Sequence, residues 1–218
     1  MKLMGIGDEA ANAIDGQIHA TKELGWKFIE MRGVEVPGFP KANFHEIPDA
    51  AFDIAVRKLE AAGIGVYCFG STVMNWAKKV GDPFEITLSE IKHAIPRMQW
   101  LGTKYVRIMS FKPDDDAHKI PAEVFRRVQD ATKMFLDAGI QPVHENCMNH
   151  GGMSWQHALE LFGKMSRTQV AFRYGESRFQ SRPLETKTVA EARSLGILDT
   201  CARSCRSHSH QGRDLESG

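Results

Sequence analysis

Apolar residues recur at helical spacing in several stretches of the chain, and four such stretches end at a glycine followed by a short apolar run. One stretch runs from Phe52 to Leu59, with Ala55 and Val56 on the same helical face. Glycine accepts the left-handed conformation that ends a helix, so the pattern predicts helices that stop there and strands that follow. The four glycines are Gly25, Gly63, Gly102 and Gly139.

Three residues give more detail at the helix ends. Thr87 and Glu90 have the spacing of a capping box, which predicts a helix start at Thr87. Pro96 is expected to kink or break that helix because it lacks a backbone N–H. Ser154 predicts the start of a further helix from Trp155 onward.

With Leu3 to Ile6 as a first strand, the chain reads as strand and helix repeated five times. Alternation at this spacing predicts a parallel sheet, as in a (β/α)₈ barrel or a doubly wound sheet. No Gly-x-Gly-x-x-Gly motif follows the first strand, which disfavours a dinucleotide-binding fold. The pattern therefore predicts an α/β fold with about five β/α units, and at this point both architectures stay open.

Polar residues gather where the predicted strands end. In a parallel α/β fold, the carboxyl ends of the strands form the edge that binds ligands. The residues at these ends are Asp8, Glu9, Glu30, Arg32, Cys68, Ser71, Asn75, Trp76, Arg107, Ser110, His144, Glu145, Asn146, Asn149 and His150.

Most of these residues also have a purely structural interpretation. Glu30 and Arg32 lie two apart, on one face of a strand, and can pair with each other or with neighbours. His144 alternates with Glu145, so we expect its side chain to face the opposite way and to be structural. Glu145 is harder to explain, because an ionised carboxylate after an apolar strand must be hydrated, paired or bound to a metal.

Composition excludes several classes of function. The net charge is +1, with 25% charged residues, so the chain lacks the basic excess typical of nucleic-acid binding. No apolar run approaches the roughly 20 residues of a membrane helix. The four cysteines are sparse, which favours free thiols in a reducing cytoplasm over a disulfide framework. We therefore expect a cytoplasmic protein without nucleic-acid or membrane partners.

The stretch from Pro142 to Asn146 reads Pro-Val-His-Glu-Asn and is followed by Asn149-His-Gly-Gly and a helix that carries Trp155. This motif, together with the order of the junctions, resembles the sugar phosphate isomerase/epimerase family of xylose isomerase-like TIM barrels. The resemblance covers residues 1–162.

The resemblance implies one divalent metal at the barrel mouth, with ligands after strands five to eight of the barrel. Glu145 matches the first ligand, which in related epimerases is also an acid/base group. A carboxylate-rich site of this kind suits Mn²⁺, Mg²⁺ or Co²⁺, and Zn²⁺ is also compatible. The implied reaction moves a proton through an enediolate of a small sugar or sugar-like polyol. Glu30, Arg107 and His150 are substrate-binding candidates by position.

Two alternatives stay open. An apurinic-site endonuclease of the same fold would cleave phosphodiesters, but it needs more histidine ligands and a basic face. A truncated fragment without catalysis would have neither substrate nor metal.

The chain changes character after Phe162. Residues 1–163 carry more acidic than basic side chains, whereas the balance reverses from Lys164 on and helical periodicity fades. We therefore divide the chain into a partial barrel, 1–162, and an atypical tail, 163–218. The aspartate that the resemblance places after the next strand is missing, so metal binding is expected to be impaired.

A reading-frame slip near Leu161 to Gly163 accounts for the tail. With suitable synonymous codons, Phe172 to Ser177 read one base later gives Phe-Asp-Thr-Gly-Asn-Pro, which resembles the missing strand with its aspartate. The same shift from Ser207 to Arg213 gives His-Ile-His-Ile-Lys-Asp-Ala, which resembles the strand that carries the histidine ligand. Cys201 and Cys205 have the spacing of a thiol pair, and Ser207-His-Ser-His210 resembles a metal-binding tract. On this hypothesis both features arise by accident.

Overall fold

The computed structural model describes residues 2–114 and 119–165, and the backbone of 171–173. Six α-helices lie in this part of the chain. They are α1 (Gly7–Ala10), α2 (Ile14–Glu23), α3 (Asp49–Ala62), α4 (Phe84–Trp100), α5 (Ala122–Asp137) and α6 (Trp155–Lys164). A short 3₁₀ turn, His150–Gly152, precedes α6.

Seven strands accompany the helices. They are β1 (Phe28–Met31), β2 (Gly33–Val34), β3 (Ala42–Asn43), β4 (Gly65–Gly70), β5 (Tyr105–Ile108), β6 (Gln141–Glu145) and β7 (Ala171–Arg173). Five of them form one sheet in the order β1-β4-β5-β6-β7, and every pair in it is parallel. β2 and β3 form a separate antiparallel pair. The predicted parallel α/β architecture is confirmed, although Leu3 to Ile6 contributes only a single bridge, from Ile6 to Glu30.

Four of the predicted helix–strand junctions are confirmed at their glycines. Gly25, Gly63, Gly102 and Gly139 all have positive φ angles, between 63° and 77°. In this region a residue with a Cβ is strained, which is why glycine stands where each helix ends. The junctions set the spacing that returns each strand to the same sheet.

Helix α4 corrects one prediction and leaves part of another open. It begins at Phe84 with Pro83 as its N-cap, so Thr87 lies inside the helix, buried, and forms no capping box. Pro96 lies within the helix, which continues to Trp100, so the break does not occur and the kink stays a prediction. The prediction at Ser154 is confirmed, because its side chain accepts a hydrogen bond from the His157 backbone N–H.

Five β/α units, as predicted, would leave the strand that carries Glu145 at an open edge of the sheet. The structure adds the strand β7, which pairs with β6 in parallel register. Val143 pairs with Ala171, His144 with Phe172 and Glu145 with Arg173. The predicted division at residue 162 therefore falls inside α6, and the tail motifs beyond Arg173 lie outside the described residues.

The core lies between the sheet and the helices. Its largest fully buried side chains include Ile29, Phe69 and Phe135, and Val106 and Ile108 of β5 are also completely buried. None of the helices in the described part of the chain is long and apolar enough to cross a membrane. Cys68 and Cys147 are free thiols, whereas Cys201 and Cys205 lie outside the described residues.

Candidate functional site

Glu145 lies at the carboxyl end of β6 and forms an ion pair with Arg107 of the neighbouring strand β5. Arg107 Nη1 is 3.1 Å from Glu145 Oε2, and the two side chains are 6% and 13% exposed. Both residues project from adjacent parallel strands, so the strand register brings them together. Removing one member of so deeply buried a pair typically costs about 3–5 kcal/mol, because the other charge is left unpaired.

Arg107 is also bound to the backbone of the strand on its other side. Its Nη2 donates to the carbonyl oxygens of Gly70 and Ser71, at 3.2 and 3.0 Å. The Ser71 hydroxyl donates in turn to the Arg107 carbonyl oxygen. One guanidinium therefore connects the carboxyl ends of β4, β5 and β6, and its position is fixed from two sides.

Glu30, in β1, and Arg32, just after it, have different surroundings. Glu30 is 3% exposed, and its Oε1 lies 2.9 Å from the point where a Cβ on Gly70 would stand. Arg32 Nε binds Asp8 Oδ1 at 2.8 Å, and its Nη2 binds Glu9. The two acidic residues predicted for the mouth are thus held by Arg32. The Glu30 carboxylate has room beside Gly70 because glycine carries no side chain.

A buried polar network lies on the opposite side of β6 from Glu145. Ser110 Oγ donates to Asn149 Oδ1 at 2.6 Å and accepts the Gly151 backbone N–H at 2.7 Å. His144 Nε2 lies 3.1 Å from the same hydroxyl, and its ring meets Phe162 edge-on. Burial lowers the pKa of His144 to about 4, so the ring is neutral. The prediction that His144 faces the opposite way from Glu145 is confirmed, and its structural role stays a prediction.

His150 lies in the 3₁₀ turn before α6 and is completely buried. Among the described residues, neither of its ring nitrogens has a hydrogen-bond partner. Burial lowers its pKa, with a smaller opposing effect from Asp114. A substrate would reach this ring only after the loop moved, so its substrate-binding role stays a prediction.

Sequence reasoning missed His45, which follows β3 and is completely buried. Burial lowers its pKa to about 3, and the positive charge of Lys78 adds to this effect. Its Nε2 lies 3.3 Å from Thr72 Oγ1, and its carbonyl oxygen accepts from Arg97. A histidine in a connection with two-residue strands has no periodic pattern around it, so no sequence signal distinguished it.

The candidate residues are packed rather than open. Glu30, Arg107 and His150 are 5% exposed or less. A surface groove lies along the first half of α4, and none of the four predicted site residues lines it. It is lined by Glu46, Glu85, Ile86, Ser89, Glu90 and His93. Three of these six residues are acidic and none lies at a strand end, so the strand ends remain the better candidate site.

Among the described residues, the donor set at the strand ends does not fit a divalent metal. In residues 2–114 and 119–165, no three histidine, cysteine or carboxylate side chains converge on a point that could hold one. The one predicted ligand, Glu145, is already bound to a guanidinium. A carboxylate from the next strand would be needed, but the residue paired with Glu145 in β7 is Arg173.

Comparison with known proteins gives likeness in structure only. No family model matches the sequence, and no curated protein matches it. A xylose isomerase-like TIM barrel protein from Mycobacterium smegmatis, solved with magnesium, has a TM-score of 0.60 at 15% identity, over 79% of this chain and 63% of its own. The probable 3-DHS dehydratase AsbF from Bacillus anthracis has a TM-score of 0.62 at 14% identity, over 79% and 62%.

A D-psicose 3-epimerase from Clostridium cellulolyticum, solved with D-tagatose, has a TM-score of 0.51 at 14% identity, over 79% and 62%. The chain therefore spans about three-fifths of the length of these structures. At such low identity the likeness establishes the fold. The reaction has to be argued from the site.

Proposed function

Because the described part of the chain has the fold of the xylose isomerase-like TIM barrel proteins, we propose that it is a metal-dependent sugar isomerase or epimerase whose activity is impaired. Its ligand would be a small sugar or sugar-like polyol. The observation that carries this proposal is a carboxylate, Glu145, at the carboxyl end of a central parallel strand beside a fixed guanidinium. Neighbours of the same fold support it, since one of them holds D-tagatose.

The proposed chemistry is proton transfer at the carbon next to a ketose carbonyl. Glu145 would accept that proton, giving an enediolate. Its return to the neighbouring carbon, with the hydroxyl proton moving to the former carbonyl oxygen, is isomerisation, whereas epimerisation would need a second group to protonate the opposite face of the first carbon. Arg107 orients the carboxylate, because its own position is fixed by two backbone carbonyl groups. The ion pair with Arg107 must open before the carboxylate can meet a substrate carbon, so the reaction is expected to be slow in this chain.

The neighbour solved with magnesium suggests a metal-dependent reaction for enzymes of this fold. The described residues of this chain lack a donor set for such an ion, so we propose that its activity is impaired. The alternative to this proposal is a fragment without catalysis. A metal-dependent reaction in a neighbour and the lack of a metal donor set in the described residues favour this alternative as well. An endonuclease relative has no support from the described residues.

Hydrogen exchange at the ketose carbon tests the proposal. The purified chain would be incubated with a panel of ketoses in D₂O, with and without Mn²⁺ or Co²⁺, and deuterium incorporation followed by NMR. We expect slow incorporation that Glu145→Gln abolishes, because the substitution removes the base and keeps the shape of the side chain.

Each result separates the alternatives. Exchange that is equally fast in the Glu145→Gln variant would show that another group removes the proton. No exchange in either protein, with both folded by circular dichroism, would identify the chain as a fragment without catalysis.

A further inference from the structure

In the ion pair at the strand ends, the charges of Arg107 and Glu145 neutralise each other. Glu145 is the residue expected to bind a cation, yet its carboxylate lies 3.1 Å from a guanidinium that is itself buried. We propose that Arg107 is the resident counter-cation of Glu145 and takes the place of a divalent ion, so that the mouth excludes both cations and anions. This inference concerns the resting charge of the site and does not depend on the proposed reaction.

The first support is the immobility of Arg107. Hydrogen bonds from its Nη2 to the Gly70 and Ser71 carbonyl oxygens hold the guanidinium toward β4. The Ser71 hydroxyl binds the Arg107 backbone on the same side. A guanidinium tied in this way cannot swing into solvent to make room for another cation at Glu145.

The second support is the distance. A divalent ion bound to a carboxylate oxygen lies about 2.0–2.6 Å from it. An ion at that distance from Glu145 Oε2 would lie within a few ångströms of Arg107 Nη1, in a site with little water to screen the repulsion. The ion and the guanidinium therefore compete for the same carboxylate.

The third support is the type of residue on the strands beside β6. Arg107 stands on β5, whereas Arg32, after β1, is committed to Asp8 and Glu9. On the other side of β6, the position paired with Glu145 is Arg173 rather than an acidic residue. The sequence thus surrounds Glu145 with cationic residue types on both neighbouring strands.

Ion binding to four variants of the full chain tests the inference. Mn²⁺ binding would be measured by electron paramagnetic resonance, and inorganic phosphate binding by calorimetry. We expect the unmodified chain to bind neither ion below the millimolar range. Arg107→Met should bind Mn²⁺ at least about tenfold more tightly, because the carboxylate of Glu145 loses its counter-charge. Glu145→Gln should gain phosphate affinity by a similar factor, because the guanidinium of Arg107 loses its own.

Two further variants serve as controls. Arg107→Lys keeps the positive charge and should gain no Mn²⁺ affinity. The double variant, Arg107→Met with Glu145→Gln, should bind neither ion, because it removes both charges.

Submillimolar Mn²⁺ binding by the unmodified chain would overturn the inference. So would two folded single variants that gain no ion affinity. Should Arg107→Met fail to fold, the phosphate measurement on Glu145→Gln decides alone. None of these readouts requires turnover, so a failure of the proposed function would leave the result interpretable.

Discussion

Glu145 and His144 are adjacent in the chain and meet opposite surroundings. The strand β6 turns Glu145 toward Arg107 and His144 toward Ser110 and Phe162. Alternation along a strand predicts this division, and the sequence also shows that an ionised Glu145 needs a partner. The identity of that partner was not predictable, because Arg107 comes from another β/α unit. Only the register of β5 with β6 brings the two together.

The neutral state of His144 predicts a dependence of stability on pH. Its pKa is about 4 in the folded chain, against 6.5 for an exposed imidazole, because the ring is buried. The unfolded chain therefore binds more protons between these values, so the contribution is complete above pH 6.5 and is lost as the pH falls toward 4. Between pH 7 and pH 5, we expect this group alone to lower the free energy of unfolding by about 2 kcal/mol.

Urea denaturation at the two pH values measures the effect. His144→Gln should be less stable at pH 7 and should show a smaller loss between pH 7 and pH 5 than the unmodified chain. His19→Gln, at an exposed histidine of α2, is the matched control and should keep the full loss. Equal losses in the unmodified chain and in His144→Gln would contradict the buried neutral ring.

At the scale of elements, long periodic helices and their glycine ends were predictable from the sequence. The errors lie where local signals conflict or are too short. The capping-box pattern predicted a helix start at Thr87, but the helix begins about one turn earlier, after Pro83. The two-residue strands β2 and β3 are too short to show alternation. The strand β7 lies in a stretch with no periodic pattern, so pairing with β6 could not be foreseen.

The turn at Gly139 connects α5 to β6 and so sets the position of Glu145. Gly139 has φ of +77°, and a Cβ there would meet nothing within 4 Å. Gly139→Ala should therefore lower the free energy of unfolding by about 1 kcal/mol through backbone strain alone. Gly81→Ala is the control, since that site is equally open and its φ is not in the left-handed region. Urea midpoints that shift equally in both variants would show that the turn is not strained.

At the scale of the whole molecule, the parallel sheet was predictable because the β/α repeat recurs several times, whereas the TIM-barrel type was predictable only through the family resemblance of the motif around Glu145. The mouth was predictable only as a set of strand ends. Burial of Glu30, Arg107 and His150 depends on contacts between units, which periodicity does not encode. The proposed division at residue 162 and the frame hypothesis concern mainly residues beyond the described part of the chain.

The coding DNA tests the frame hypothesis directly. We expect codons 172–177, read one base later, to give Phe-Asp-Thr-Gly-Asn-Pro, and codons 207–213 to give His-Ile-His-Ile-Lys-Asp-Ala. Two motifs in one shifted frame, in the expected order, are improbable by chance. Nucleotides that give other peptides in that frame would end the hypothesis and leave the basic tail as an ordinary feature of the gene.

The guanidinium of Arg107 joins the ends of β4, β5 and β6. A local opening that displaces Arg107 must therefore break contacts with both flanking strands at once. The end of β5 is thereby coupled to the ends of β4 and β6. Evolution or engineering that alters one of these positions would have to accommodate all three strands together.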